Sequence, residues 1–163
     1  MIGLTEVALR AGIALTGLAV LAALLPPRHR NLLAGTTLAL FGASGVTAGV
    51  ATLAGLSGDG LSLPLALPLA GQLDPLRLAP DALGAVFLIL VGVVVALAAV
   101  FGIGYAHGPV ASRTGWSAFA VFALGLQLVP AAADVLSFLF AWELMAIGST
   151  VLLLADHAQR EPV

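Results

Sequence analysis

Uncharged, mostly apolar stretches alternate with short polar breaks along the whole chain. Two of them, Leu32–Leu56 and Ala82–Ala106, run for 25 residues each without a charge. Trp116–Ala133 adds 18 residues, and Val135–Ala155 adds 21 with one acid inside it. A helix needs about 20 mostly apolar residues to cross the hydrocarbon core of a bilayer. The stretch at the N-terminus is less clean. Ala11–Leu25 is only 15 residues, but Val7–Leu9 extends it past Arg10, whose long stem can reach the interface. Five spans are predicted: 7–25, 32–56, 82–106, 116–133 and 135–155.

Hydrocarbon offers the backbone no hydrogen-bond partners, so these segments are expected to be helices. Strands of a membrane barrel would need alternating segments of about ten residues, which these uniform runs are not. The first stretch also has the length of a secretory signal. However, Pro26-Pro27-Arg28-His29-Arg30 stands where small residues would mark cleavage, so a retained helix is expected. The expected fold is an all-α integral membrane protein, a single membrane domain over residues 1–163.

Composition agrees and narrows the function. Charged residues are 9% and hydrophobic residues 61%, with mean hydropathy +1.13. The charge share of an ordinary soluble domain is about 25%. Six Arg, no Lys and a net charge of −2 form no basic stripe, which argues against nucleic-acid binding. Zero Cys removes the usual iron–sulfur ligands, and His29, His107 and His157 lack metal-ligand spacing. Gly102-Ile-Gly104 ends a span instead of opening a helix after a strand, so it is no dinucleotide loop. No cofactor, metal or nucleophile–base pair is expected.

The arginines suggest an orientation. With the N-terminus outside, Arg28, Arg30, Arg113 and Arg160 lie inside, and only Arg10 and Arg77 outside. The acids Glu6, Asp59, Asp74, Asp81 and Asp134 then fall outside. The outer loop 57–81 carries Leu61-Ser-Leu-Pro-Leu-Ala-Leu-Pro-Leu69. Its alternation suggests an extended segment on the rim, with an irregular connector as the alternative. Asp81, after Pro80, is placed to cap the third helix, and Asp134 marks the outer turn before the fifth.

Glu143 is the one charge that no loop accommodates. It lies eight residues beyond the start of the fifth span. An ionisable group at that depth costs about 2.5–3.5 kcal/mol on insertion scales and usually marks an ion or proton pathway. The plainer alternative is a protonated Glu hydrogen-bonded to a neighbouring helix. Trp142 beside it is too deep for an interfacial belt and is expected to pack between helices. Gln127 can bridge two helices through its amide, and Gly45-x-x-x-Gly49 fits a close helix contact. Ser149 is a further packing or supporting candidate one to two turns beyond Glu143.

The segment Asp134-Val-Leu-Ser-Phe-Leu-Phe-Ala-Trp-Glu-Leu-Met-Ala-Ile-Gly-Ser-Thr-Val-Leu-Leu-Leu154 resembles the fifth-helix signature of proton-translocating, antiporter-like membrane subunits. That family includes the large membrane subunits of NADH-quinone oxidoreductase, Mrp-type Na+/H+ antiporter subunits and hydrogenase-4 component B. The tail Ala155-Asp-His-Ala-Gln-Arg-Glu-Pro162 leans toward the last of these. Leu76-Arg-Leu-Ala-Pro-Asp-Ala-Leu-Gly84 and the Leu/Pro loop add to the resemblance. Thr150, where the family commonly has an aromatic, departs from it.

The resemblance implies roughly fourteen helices in the whole subunit, with inverted repeats, of which this sequence would supply the first five. It implies that Glu143 pairs with, and tunes, a lysine on a helix beyond residue 163. The implied partners are the lipid bilayer and other membrane subunits of a redox-driven or antiporter complex, including the remaining helices as a separate chain. The implied location is a bacterial-type cell membrane, crossed several times. A non-translocating assembly piece or gene remnant is the alternative function.

Overall fold

A computed structural model describes residues 2–64, 66–67, 71–72, 75–107 and 111–157. Arg160, Asp74 and Pro68 lie outside the described residues. Five helices make up most of the described chain: α1 (Leu4–Ala23), α2 (Pro27–Leu53), α3 (Ala82–Tyr105), α4 (Arg113–Ala131) and α5 (Val135–His157). Each is long and apolar enough to cross a membrane. Many large apolar side chains on their outer faces are exposed, among them Leu83, Leu90, Leu97 and Phe101 on α3. Such a continuous apolar exterior is what hydrocarbon, not water, accommodates.

The helices start and stop differently from the uncharged runs. α1 begins at Leu4 instead of residue 7, so Glu6 is in its first turn and not in a loop. α2 begins at Pro27 instead of residue 32, which reduces the expected polar loop to Leu24–Pro26. Proline suits a first helical position because its missing N–H would be unpaired there anyway. α4 begins at Arg113, three residues early, because Ser112 accepts the Gly115 N–H at 2.9 Å and caps it. Charge thus marks where a helix reaches the interface, not where it ends. α2 stops at a left-handed Gly55 (φ +72°). There the Leu56 N–H reaches Ala51 O and the Gly55 N–H reaches Thr52 O, a glycine C-terminal cap.

Between α2 and α3 the chain forms short antiparallel ladders, β1 (Leu61–Leu63) with β4 (Leu76–Leu78) and β2 (Ala66–Leu67) with β3 (Gly71–Gln72). Among the described residues of 57–81, the extended alternative is the one observed at 61–63, 66–67, 71–72 and 76–78. Leucines two residues apart turn to one side: Leu76 and Leu78 are both buried, and Leu61 and Leu78 pack against Leu88, Leu128 and Ala131 of the bundle. The ladder continues onto the α4–α5 link, where Ala79 N–H donates to Ala131 O and Ala133 N–H to Arg77 O. This folded hairpin covers one end of the bundle.

α2 lies between α1 and α3, and α4 closes the group against α1 and α3; α5 packs on the outside of α4. Glycine makes the closest approaches. A Cβ on Gly42 would stand 2.5 Å from Gly92 O, and a Cβ on Gly92 would stand 2.5 Å from Gly42 O. The Gly45-x-x-x-Gly49 pattern is shared between two partners. Gly49 meets Ala85 O of α3, while Gly45 faces the Gln127 amide of α4.

Candidate functional site

Glu143 is at mid-depth on α5, eight residues or about 12 Å from its start at 1.5 Å per residue. The packing of α5 decides where its side chain goes. Ala141 and Gly148 are buried and Met145 is half-buried, because this side of the helix meets α4. The approach is close: Cβ atoms on Gly125 and Gly148 would each fall 2.6 Å from a backbone nitrogen of the facing helix. Residue 143 follows Ala141 by two positions, about 200° around a helix of 3.6 residues per turn. Glu143 is therefore exposed on the face turned away from α4, and it makes no hydrogen bond or ion pair with any described residue.

The neighbours expected to support it share that exposure. Trp142 does not pack between the described helices: it is 51% exposed and stands edge-on to Phe138, with ring centroids 5.6 Å apart. One position from Ala141 turns it about 100° off the α4 contact, so depth in the span did not imply burial. Ser149 is exposed and its hydroxyl donates to Ala146 O of its own helix at 2.9 Å. The α5 outer face thus carries Trp142, Glu143, Ser149 and Thr150 among apolar residues, whereas the exposed side chains of α3 from Leu83 to Phe101 are apolar.

Gln127 belongs to a separate polar centre. It is 4% exposed, and its Nε2 donates to Phe41 O at 3.2 Å, tying α4 to α2. Ser44 Oγ donates to the same carbonyl at 2.7 Å. Gly45 leaves room for the amide, and Gly12 of α1 leaves room for Ser44. The four-helix interior at this depth holds hydrogen-bonded but unionisable groups.

The rim residues are structural. Asp81 accepts the Gly84 N–H at 2.7 Å and caps α3. Asp134 accepts the Ser137 N–H at 2.7 Å and caps α5, while Ser137 Oγ accepts the Arg77 N–H at 2.7 Å and so joins α5 to the hairpin. The Ser137 backbone N–H, then its hydroxyl, hold the Asp134 carboxyl below its usual 3.8, with smaller help from Arg77 and the Leu136 N–H against a desolvation that raises it. A depressed carboxyl stabilises the fold above its unfolded pKa, and that support is lost as pH falls through the folded value. Corrected for the intrinsic pH dependence of exchange, amide exchange at Ser137 and Phe138 should therefore be unchanged from pH 7 to pH 5 and accelerate below about pH 4, an effect absent in Asp134→Asn. Equal acceleration in both proteins would reject the cap.

Two buried charges were hidden by their place in the sequence. Glu6, 5% exposed, accepts the Gly60 N–H at 2.9 Å and holds the hairpin to α1. Arg30, 7% exposed, donates through Nε and Nη2 to Leu25 O and through Nη1 to Ala111 O, joining the α1–α2 and α3–α4 links at the opposite end. Each stands next to a polar break, so the sequence reads as solvated loop. Among the described residues, no group of three His, Cys, Asp or Glu side chains could hold a metal ion.

The chain is similar to part of two larger proteins. The sequence is 38% identical over 122 residues to uncharacterized protein MT0090 of Mycobacterium tuberculosis strain CDC 1551 / Oshkosh. The same figures hold for uncharacterized protein Rv0083 of strain H37Rv. The match covers 70% of this chain but spans only 18% of the length of these relatives. No family model matches the chain, and no solved structure matches it.

Proposed function

We propose that this chain is the N-terminal portion of a proton- or cation-translocating membrane subunit, in which Glu143 tunes a lysine supplied by helices outside it. The observation that carries the reading is the position of Glu143 at mid-depth on the broad side of α5 that no described helix covers. A carboxylate left in hydrocarbon is expensive, and a basic partner on an apposed helix offsets that cost and favours the charged form. The much greater length of the similar proteins supports a larger subunit around the five helices. The arginine distribution supports the hairpin end outside and the Arg30 end inside the cell membrane. On this reading any oxidoreductase activity belongs to the assembled redox or antiporter complex, and these residues contribute charge placement.

The test is Glu143→Gln in the assembled complex, measured as proton uptake by inverted vesicles. Loss of the charge that shifts a partner pKa by about one unit should lower turnover roughly tenfold, with assembly intact. Unchanged turnover and stoichiometry would reject the role. The bundle interior around Gln127 contains no ionisable group among its described residues, which favours a scaffold role for α1–α4 themselves. Proteoliposomes holding this chain alone should accordingly show no proton flux.

A further inference from the structure

A second feature of α5 lies beyond Glu143, toward the C-terminal end of the helix. At the Arg30 end, a groove of about 380 Å³ runs between α4 and the C-terminal half of α5, and Leu24 at the end of α1 borders it. Its floor is made of the buried Ala118 and Gly148, and Val121 and Val151 form its walls. From Thr114 to Val121 it extends about 10 Å along α4 at 1.5 Å per residue. The lining is apolar everywhere except at the mouth, where Arg113, Thr114 and Ser117 stand. Arg113 is exposed and makes no hydrogen bond or ion pair with any described residue.

Arg30 does not line the groove, but its hydrogen-bond partners adjoin residues that do. Arg30 is anchored on Leu25 O, next to Leu24, and on Ala111 O, two residues before Arg113. Its partners are carbonyls, so its charge is not cancelled by any carboxylate among the described residues. Arg113 thus stands at the polar end of a hydrocarbon-lined slot, with a second guanidinium anchored to chain segments that adjoin its lining.

The geometry points to a binding site for an anionic phospholipid, with an acyl chain in the α4–α5 groove and the phosphate at Arg113. An extended acyl chain matches a slot that is long, narrow and apolar. The cationic mouth selects for net negative headgroups, because a zwitterionic lipid brings its own ammonium to the same place. Arg113 adds a planar fork suited to two phosphate oxygens. The groove does not include Glu143, which stands one turn before Ile147, its first lining residue on α5.

The experiment is native mass spectrometry of the full chain in mild detergent, titrated with phosphatidylglycerol, phosphatidylcholine or inorganic phosphate. Phosphatidylglycerol should bind with one-site stoichiometry and several-fold more tightly than phosphatidylcholine, and inorganic phosphate should not displace it. Arg113→Gln should weaken phosphatidylglycerol binding about fivefold and erase the preference, and Arg113→Lys should restore most of it. Val121→Trp should block binding of both lipids with helicity unchanged. Equal affinity for the two lipids, or undiminished binding in both Arg113→Gln and Val121→Trp, would overturn the site. So would a photo-crosslinker at Val121 that captures a protein helix and no lipid in membranes. Displacement by inorganic phosphate would mean a bare anion site and would overturn the acyl-chain assignment.

Discussion

Gly42→Leu should separate α2 from α3 and destabilise the protein by about 3 kcal/mol, at the upper end of what overpacking a tight interface usually costs. The reason is reciprocal contact. Gly42 and Gly92 each lie against the other's backbone oxygen, so the first atom of any side chain already meets a carbonyl at 2.5 Å. Backbone cannot rotate aside as a flexible side-chain tip does, and the helices must move apart along their shared length. That movement would also loosen Gly49 from Ala85 O. Gly17→Ala is the control, because a Cβ there meets nothing within 4 Å. It should leave stability unchanged or raise it by up to about 1 kcal/mol through helix propensity. Denaturation of the two variants in the same micelles compares them directly. A Gly42→Leu protein as stable as the Gly17→Ala protein would show that the α2–α3 contact is not what holds the bundle.

Arg30→Met is expected to cost about 2–4 kcal/mol, because it removes charge-assisted bonds to two carbonyls and leaves both short of partners. Nε and Nη2 fix Leu25 O at 3.2 and 3.0 Å, and Nη1 reaches Ala111 O at 3.1 Å. One side chain therefore ties the link after α1 to the residue just before the α4 cap. Methionine keeps the apolar stem, so the variant isolates the polar bonds. Arg30→Lys should recover only part of the loss, since an ammonium lacks the planar fork that serves two carbonyls on opposite sides. Hydrogen exchange should rise first at the Leu24–Pro26 link and in the opening turn of α4. The Asn31–Trp116 bond, Nε1 to Oδ1 at 2.9 Å, is the remaining tie between α2 and α4 at this end and should limit the opening. Exchange confined to α2 alone would show that Arg30 does not couple the two links.

Both sites were poorly legible in the sequence, for different reasons. Arg30 follows Pro26-Pro27, and the pair of prolines reads as a loop. The first proline lies outside the helix, but the second opens it, so Arg30 falls in the first turn of α2 and points into the link region. The value of Gly42 is not visible because glycine is frequent here, with 19 in the chain, and spacing alone does not say which of them face another backbone. Gly45 and Gly49 have the spacing of a single contact, yet they meet different helices. The Asp81 cap, in contrast, could be read directly, because Pro80-Asp81 before a long apolar run leaves the carboxylate one geometrically simple task.

The candidate site divides along the same line. Five helices long and apolar enough to cross a membrane, a rim segment that alternates like a strand and a single carboxylate at mid-depth were all legible in the order of residues. These follow from local chemistry: apolar length, two-residue periodicity and the cost of charge in hydrocarbon act on each segment without reference to the others. That Glu143 and Trp142 face away from the bundle, that Gln127 faces into it, and that Glu6 and Arg30 are buried emerges from the packing of the helices. Those outcomes depend on the rotation of each helix about its axis. That rotation is set by where glycine lets two backbones meet, and Gly125 and Gly148 fix it for α5 by bringing its Ala141 side onto α4.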